Sequence, residues 1–278
     1  MDTEHKRRGR GRPRLDKEQR QPATVQALDR GLAVFALVSR EGKCTLTELA
    51  ASAGMAPSTA HRMLETLRVH GLVAFDASNQ TWSIGVEAFR IGHGYAQQAS
   101  YLEAGRILMR RLIDQTGETA SIAVIEGRDV VHVSQIETQA PIRAFIPPGT
   151  RSYLQASGIG KALLACMSEA ACREILTGHP VPAFTGNTIT DVEWLIAELG
   201  HIRGRGWAID DEERHQGMRC IAAPIFNEFG DAIAGLSISG PTARLDDTAL
   251  ERHGPTVRSA AREVTAMIGG QPPSDAWF

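Results

Sequence analysis

From Thr24 to Val38 apolar residues return every three or four positions (Val25, Leu28, Leu32, Phe35). That spacing lines one side of an α-helix, and Gly42 stands where the helix should stop. TLTELA follows, in which Thr45 and Glu48 match the Ser/Thr-x-x-Glu capping box that opens a helix. Leu46, Leu49 and Ala50 give this second helix an apolar face and Gly54 closes it. Ala56-Pro57 starts a third, because proline's missing N–H has no helical partner at the first position anyway. Met63, Leu64 and Leu67 form its stripe and Gly71 its stop. Two β-type segments, around Leu72–Phe75 and Thr81–Ile84, flank the turn-rich Asp76-Ala77-Ser78-Asn79-Gln80. Helix, short helix, turn, helix and a two-stranded hairpin predict a winged helix-turn-helix over residues 22–85.

Residues 86–115 read as mostly helical, with a break near Gly92-His93-Gly94, and are expected to pair with a second copy. Beyond them the period changes from helical to alternating. SIAVIEGRDVVHVSQIE holds two β-rich runs around Glu126-Gly127-Arg128-Asp129, and CIAAPIFNEFGDAIAGLSISG repeats the pattern with its turn at Asn227–Asp231. Between them lie a helix from near Gly158, a short one over Glu169–Leu176 and a third around Asp191–Arg203; Leu250–Ile268 is a closing helix. The expected class is α+β, with an antiparallel sheet and helices segregated to one face, over residues 116–270; residues 271–278 form a tail.

Composition adds a location and a partner. With 42% apolar residues and no run near the ~20 that a membrane span needs, the chain predicts a globular protein without a membrane partner. Four cysteines without a Cys-x-x-Cys pair predict a reduced, cytoplasmic protein. Lys+Arg outnumber Asp+Glu 13 to 9 over residues 1–85 and fall behind, 17 to 23, in the rest. A basic first third suggests a nucleic-acid end. Residues 1–21 carry KRRGRGRPR and almost nothing large and apolar, so they should stay disordered alone. Arg10-Gly11-Arg12-Pro13-Arg14 is AT-hook-like: an extended segment whose Arg side chains fit a narrow minor groove. Candidate DNA contacts are therefore Arg10, Arg12 and Arg14 on the arm, Thr45 at the second helix, and Ser58, Thr59, His61 and Arg62 on the third, where Ser, Thr and Arg can donate to phosphates and read base edges. Two such reading heads would take a palindromic double-stranded operator.

STAHRMLETL in the third helix, ASGIGKALLA and DDEERHQGMRCIAAPI, in this order, resemble the IclR family of transcriptional regulators. The resemblance covers nearly the whole chain after the basic arm. It implies a DNA-binding dimer, often a dimer of dimers, whose C-terminal domain is GAF-like and senses a small metabolite. Against the members that respond to glyoxylate or pyruvate, the ligand-holding positions fall on Gly158, Ile159, Asp210, Cys220, Ser237 and Ser239, with Met218 and, less directly, Ile142 and Ala144 as apolar wall. The chemistry is coherent. Backbone N–H groups favour a carboxylate, serines two apart on a strand share a face, Asp210 can accept from an aldehyde hydrate, and Cys220 is a small, soft wall. No cofactor is implied beyond such a 2-oxo acid effector, glyoxylate first.

Two other readings compete. Asp210, Asp211, Glu212 and Glu213 beside His215 and Cys220 could do acid/base or thiol chemistry on a small oxo acid, but four adjacent acids usually mark a solvated turn. Gly160-Lys161 is no phosphate loop, because Gln155 and Ala162 stand where glycine and Ser/Thr are required. Histidines and cysteines lack metal-ligand spacing. An architectural DNA-binding protein, indifferent to metabolites, is the other alternative.

Overall fold

A computed structural model of the chain describes residues 25–177 and 182–273, and the arm residues Arg10, Arg12 and Arg14 lie outside them. The chain divides into two compact units between Tyr95 and Ala96.

The first unit runs α1 (Gln26–Glu41), β1 (Cys44–Thr45), α2 (Leu46–Ser52), α3 (Pro57–Val69), β2 (Val73–Asp76), β3 (Thr81–Ile84) and most of α4 (Val86–Gln98), whose last residues pass the boundary. The capping box forms: the Thr45 hydroxyl accepts from Glu48 N–H, and the Glu48 carboxylate accepts from Thr45 N–H. The wing holds three strands rather than two, in the order β1-β3-β2, because Cys44 and the cap residue Thr45 pair with Trp82 and Thr81. Val34, Val38, Leu49, Leu64 and Leu67 close on Trp82. Each buried side chain of this kind stabilises by about 1.5–3 kcal/mol.

Two expectations fail here. Val25, Leu28 and Leu32 are exposed, and the core row of α1 is Val34 and Val38, with Phe35 packed against it. The helix has two apolar rows and one chain can cover only one of them. Helix α4 runs through Gly92-His93-Gly94 and ends at Gln98; the break comes at Ala99, where the backbone leaves helical geometry before α5. An internal glycine weakens a helix by about 1 kcal/mol without ending it.

The second unit runs α5 (Ser100–Thr116), β4 (Thr119–Glu126), β5 (Asp129–Ile136), β6 (Arg151–Tyr153), α6 (Gly158–Leu164), α7 (Glu169–Leu176), α8 (Val192–Arg205), β7 (Ala208–Asp211), β8 (Met218–Phe226), β9 (Ala232–Pro241) and α9, Asp247–Met267. Its six strands are antiparallel, in the order β6-β5-β4-β9-β8-β7. Helices cover both faces of this sheet, not one. Strand alternation explains why: Ile221, Ala223, Leu236 and Ile238 point to α5 and α9, while Ala208 and Ala222 point to α6, α7 and α8. Both sets are apolar, so each face needs a cover.

Candidate functional site

In the first unit, α3 opens at Ala56, whose side chain cannot cap it, with Pro57 at the first position. Ser58, His61 and Arg62 are exposed there and Thr59 half-buried. Arg62 makes no ion pair among the described residues, while Arg68 is held by Glu65 at 2.8 Å. An uncapped helix start with hydroxyls and a free guanidinium suits a phosphate and a base edge. His61 meets the edge of Trp82, its ring centroid 6.3 Å away, which ties the helix to the wing. Thr45 differs from the others: its hydroxyl accepts from Glu48 N–H and donates to the Glu48 carboxylate, so the cap occupies it. In the wing turn the Asp76 carboxylate takes hydrogen bonds from Ser78 and Asn79, which pull its pKa down to about 2 and hold the turn shut.

In the second unit the sheet register builds a polar row on the α6 side. Asp210 on β7 faces Cys220 on β8, which faces Ser239 on β9; Ser237 lies two residues back and faces Ala222. Partners across an antiparallel pair point the same way, so one short strand end collects four polar side chains. Over them sits the first turn of α6, whose N-cap Ser157 accepts from Gly160 N–H. The fit at Gly158 is close: a Cβ there would stand 2.9 Å from the Cys220 sulfur, which would have to shift to admit it. These groups line a cavity of about 330 Å³ that also takes in Ile159, Met218, Ala144 and His132. Thus Gly158, Ile159, Asp210, Met218, Cys220, Ser237 and Ser239 share one cavity. Ile142 does not line it and stands 70% exposed.

Burial governs the protonation of this site. Loss of contact with bulk water, then the nearby Glu213 charge, pushes the Asp210 carboxyl up to about 7, against the opposing pull of Lys161. Burial, then Asp210, pushes the Cys220 thiol up to about 12, so it is a neutral thiol and a poor nucleophile. The acidic run is no solvated turn. Glu213, 4% exposed, forms an ion pair with Lys161, 1% exposed, and its N–H donates to Asp210 Oδ1 at 2.8 Å. Burial raises its pKa, and Lys161 opposes that. Glu212 adopts a left-handed φ of 58° and its carboxylate accepts from Gly217 N–H at 2.6 Å. Thr188 Oγ1 donates to Glu213 O at 2.6 Å and Asn187 Nδ2 to Asp211 O at 3.0 Å. The loop after β7 is therefore strapped from both sides.

Sequence reasoning did not name His132, weighed Lys161 only as a phosphate-loop lysine, and read Glu213 only as part of a solvated acidic turn; their buried pairing went unread. A lysine inside GIGKALLA, all of whose other residues are apolar or glycine, was the available signal for a buried partner. Arg214 was missed too. Its guanidinium lies 3.9 Å from the centre of the Phe184 ring, at the cavity wall.

Residues 93–266 match the C-terminal domain of the bacterial transcriptional regulator IclR, and residues 27–77 match the IclR helix-turn-helix domain. The HTH-type transcriptional regulator BhcR of Paracoccus denitrificans is 44% identical over 99% of both chains. The transcriptional repressor IclR of Escherichia coli is 37% identical over 90% of this chain and 93% of its own. Among solved structures, an IclR homologue of Microbacterium hydrocarbonoxydans complexed with 4-hydroxybenzoate has the same fold, with a TM-score of 0.78 at 22% identity over 87% of this chain and 98% of its own. These relatives are regulators rather than enzymes, and no helix among the described residues is long and apolar enough to cross a membrane. With matches that run through both units, the chain belongs to the IclR family of DNA-binding, effector-responsive transcriptional regulators.

Proposed function

We propose that a small 2-oxo acid, glyoxylate first, controls operator binding by this regulator, and that it docks in the β7-β8-β9 end of the cavity. The observation that carries the reading is the row Asp210–Cys220–Ser239, with Ser237 beside it, under the first turn of α6. In this reading the Gly158 and Ile159 amides and the two serine hydroxyls donate to the carboxylate. The aldehyde or its hydrate meets Asp210, which near neutral pH serves as donor or acceptor. Cys220 and Met218 give a small, weakly polar wall.

On the DNA side, α3 enters the major groove through Ser58, Thr59, His61 and Arg62, and the wing and the arm residues Arg10, Arg12 and Arg14 track the backbone and minor groove. The chain acts as a homodimer or a dimer of dimers on a palindromic operator. Support comes from Val25, Leu28 and Leu32 on α1 and Val86 and Phe89 on α4, large apolar side chains that a lone chain leaves in water. The acid changes operator affinity by binding one arrangement of the dimer better than the other, which is the only way a ligand shifts such an equilibrium.

Fluorescence anisotropy of the protein on labelled DNA from upstream of its own gene, at fixed salt, tests this while glyoxylate and then pyruvate are titrated. A saturable change with one acid supports the reading. Tight DNA binding that ignores both acids overturns it in favour of another effector.

A further inference from the structure

The acid-binding row occupies one end of the cavity; the other end has chemistry of its own. His132 lies on β5, opposite Ala123 on β4, which is opposite Gly235 on β9, two residues before Ser237. With strands about 4.8 Å apart and about 3.4 Å per residue, the backbones of His132 and Ser237 stand about 10 Å apart across the sheet and about 7 Å apart along it. Val130, two residues before His132, and Ala123, its partner, both belong to the α6-side core, so the imidazole points to the side of the sheet where the serines point. It lines the same cavity, is 5% exposed, and its Nδ1 has no hydrogen-bond partner among the described residues. A buried polar atom left unpaired is uncommon and unfavourable, and marks a place where a ligand or water completes the pairing.

The neighbours of His132 at this end reinforce the point. Thr150, Ser152, Arg143 and Arg151 line it, with Phe145 and Pro147 as apolar wall. Both arginines already pair, Arg143 with Glu137 and Arg151 with Asp129 and Glu126. Burial pushes the His132 pKa down to about 4, so at neutral pH the ring offers one N–H and one lone pair. A two-carbon acid held by Ser237 and Ser239 cannot reach it. The cavity's 330 Å³ lies within the range of about 300–1,000 Å³ seen for pockets that enclose much larger ligands.

We propose that His132 heads a second polar subsite in this cavity, which selects acids of four or five carbons bearing an oxygen function at the end away from the 2-oxo carboxylate. The inference rests on the proposed docking of the 2-oxo carboxylate under α6. It assigns His132 as a specificity-determining residue: the tail oxygen, a hydroxyl or a second carboxylate, pairs with the ring and satisfies Nδ1.

Isothermal titration of the full-length chain with glyoxylate, 2-oxobutyrate, 4-hydroxy-2-oxobutyrate and 2-oxoglutarate tests it. The expected result is that at least one of the two tail-oxygen acids binds about tenfold more tightly than 2-oxobutyrate, the factor that one satisfied buried hydrogen bond supplies. Which of the two gains tells a hydroxyl subsite from a carboxylate subsite. His132→Leu should erase the preference and leave the glyoxylate Kd within about twofold, whereas His132→Gln, which keeps a donor and an acceptor, should retain part of it. Equal affinities across the three longer acids, or a preference that survives in a folded His132→Leu, overturns the inference and leaves the glyoxylate reading standing. Should His132→Leu fail to fold, the parent's preference and its fate in His132→Gln decide. If no acid binds at all, or if Ser239→Ala leaves glyoxylate affinity unchanged, the docking under α6 is wrong and this inference falls with it.

Discussion

Replacing Lys161 by methionine removes one charge from a pair that sees almost no water. Lys161 and Glu213 are 1% and 4% exposed, and Glu213 Oε2 already lacks a partner among the described residues. With the ammonium gone, a buried carboxylate faces the Asp210 carboxyl with nothing to balance it. Breaking a buried pair from one side costs about 3–5 kcal/mol, because the orphaned charge keeps its desolvation penalty and loses its attraction. For a unit of this size each kcal/mol is worth about 2–4 °C in Tm, so Lys161→Met should lower the transition of the Ala96–Phe278 unit by about 6–20 °C. Scanning calorimetry of the full-length protein at pH 7 measures it directly. The double variant Lys161→Met with Glu213→Leu removes both charges and should recover most of the loss, since an apolar pair of similar volume roughly matches a buried ion pair. A drop below about 2 °C in the single variant, or a double variant no more stable than the single, would refute the reasoning.

Arg62→Ala should weaken operator binding by about 1–3 kcal/mol and relax the preference for bases at one position. Deleting residues 6–14 should instead weaken binding uniformly and flatten its dependence on salt, read from anisotropy titrations at several ionic strengths. Ser239→Ala should abolish the response to the acid and leave DNA affinity at the parent value; a variant that still responds at the parent's ligand concentration speaks against the site. Because the Asp210 pKa is raised to about 7, the group is neutral below that pH and negative above it. Affinity for a carboxylate ligand should therefore fall as pH rises from 6 to 8.5, approaching about tenfold per pH unit once Asp210 is ionised. Asp210→Asn should flatten the profile, even with His132, His215 and Cys220 still lining the cavity and the Lys161–Glu213 pair beside it. The same raised pKa favours the folded state at lower pH, so this group's contribution to stability declines between about pH 4 and 7 and is constant above.

Where local chemistry sets an element, the sequence was a good guide. The capping box at Thr45, the short helix at Glu169–Leu176 and the start of the helix around Asp191 stand where the residues put them, because each is decided within four or five neighbours. The three strands that escaped notice, β1, β6 and β7, are two to four residues long and exist only through partners that lie well away in the sequence. Too short to show a period, they left no pattern to read. The same limit applies inside the cavity. The serines on β9 entered through the family resemblance, and their shared face was legible because a strand's two-residue repeat is a local fact. His132 carried no such mark, since what makes it notable is burial, a property of the whole packing; Lys161 carried a faint one in its apolar neighbours, but its partner Glu213 lies 52 residues away.

The fit at Gly158 sets a tolerance. With a Cβ there 2.9 Å from the Cys220 sulfur, the gap between α6 and β8 has no slack for even one methyl group. The helix that would have to retreat also carries Lys161, whose partner Glu213 sits in the strapped loop after β7. A spacer of a single carbon would thus be felt on two walls of the cavity at once, and, if the proposed docking under α6 holds, Gly158→Ala should weaken the response to the acid while DNA affinity stays at the parent value. Gly160, where a Cβ would collide with the Leu154 backbone oxygen, and Gly235, where it would meet Ile159 at 2.6 Å, set the same tolerance along the helix, so the seat of α6 on the sheet is kept by side chains that are absent.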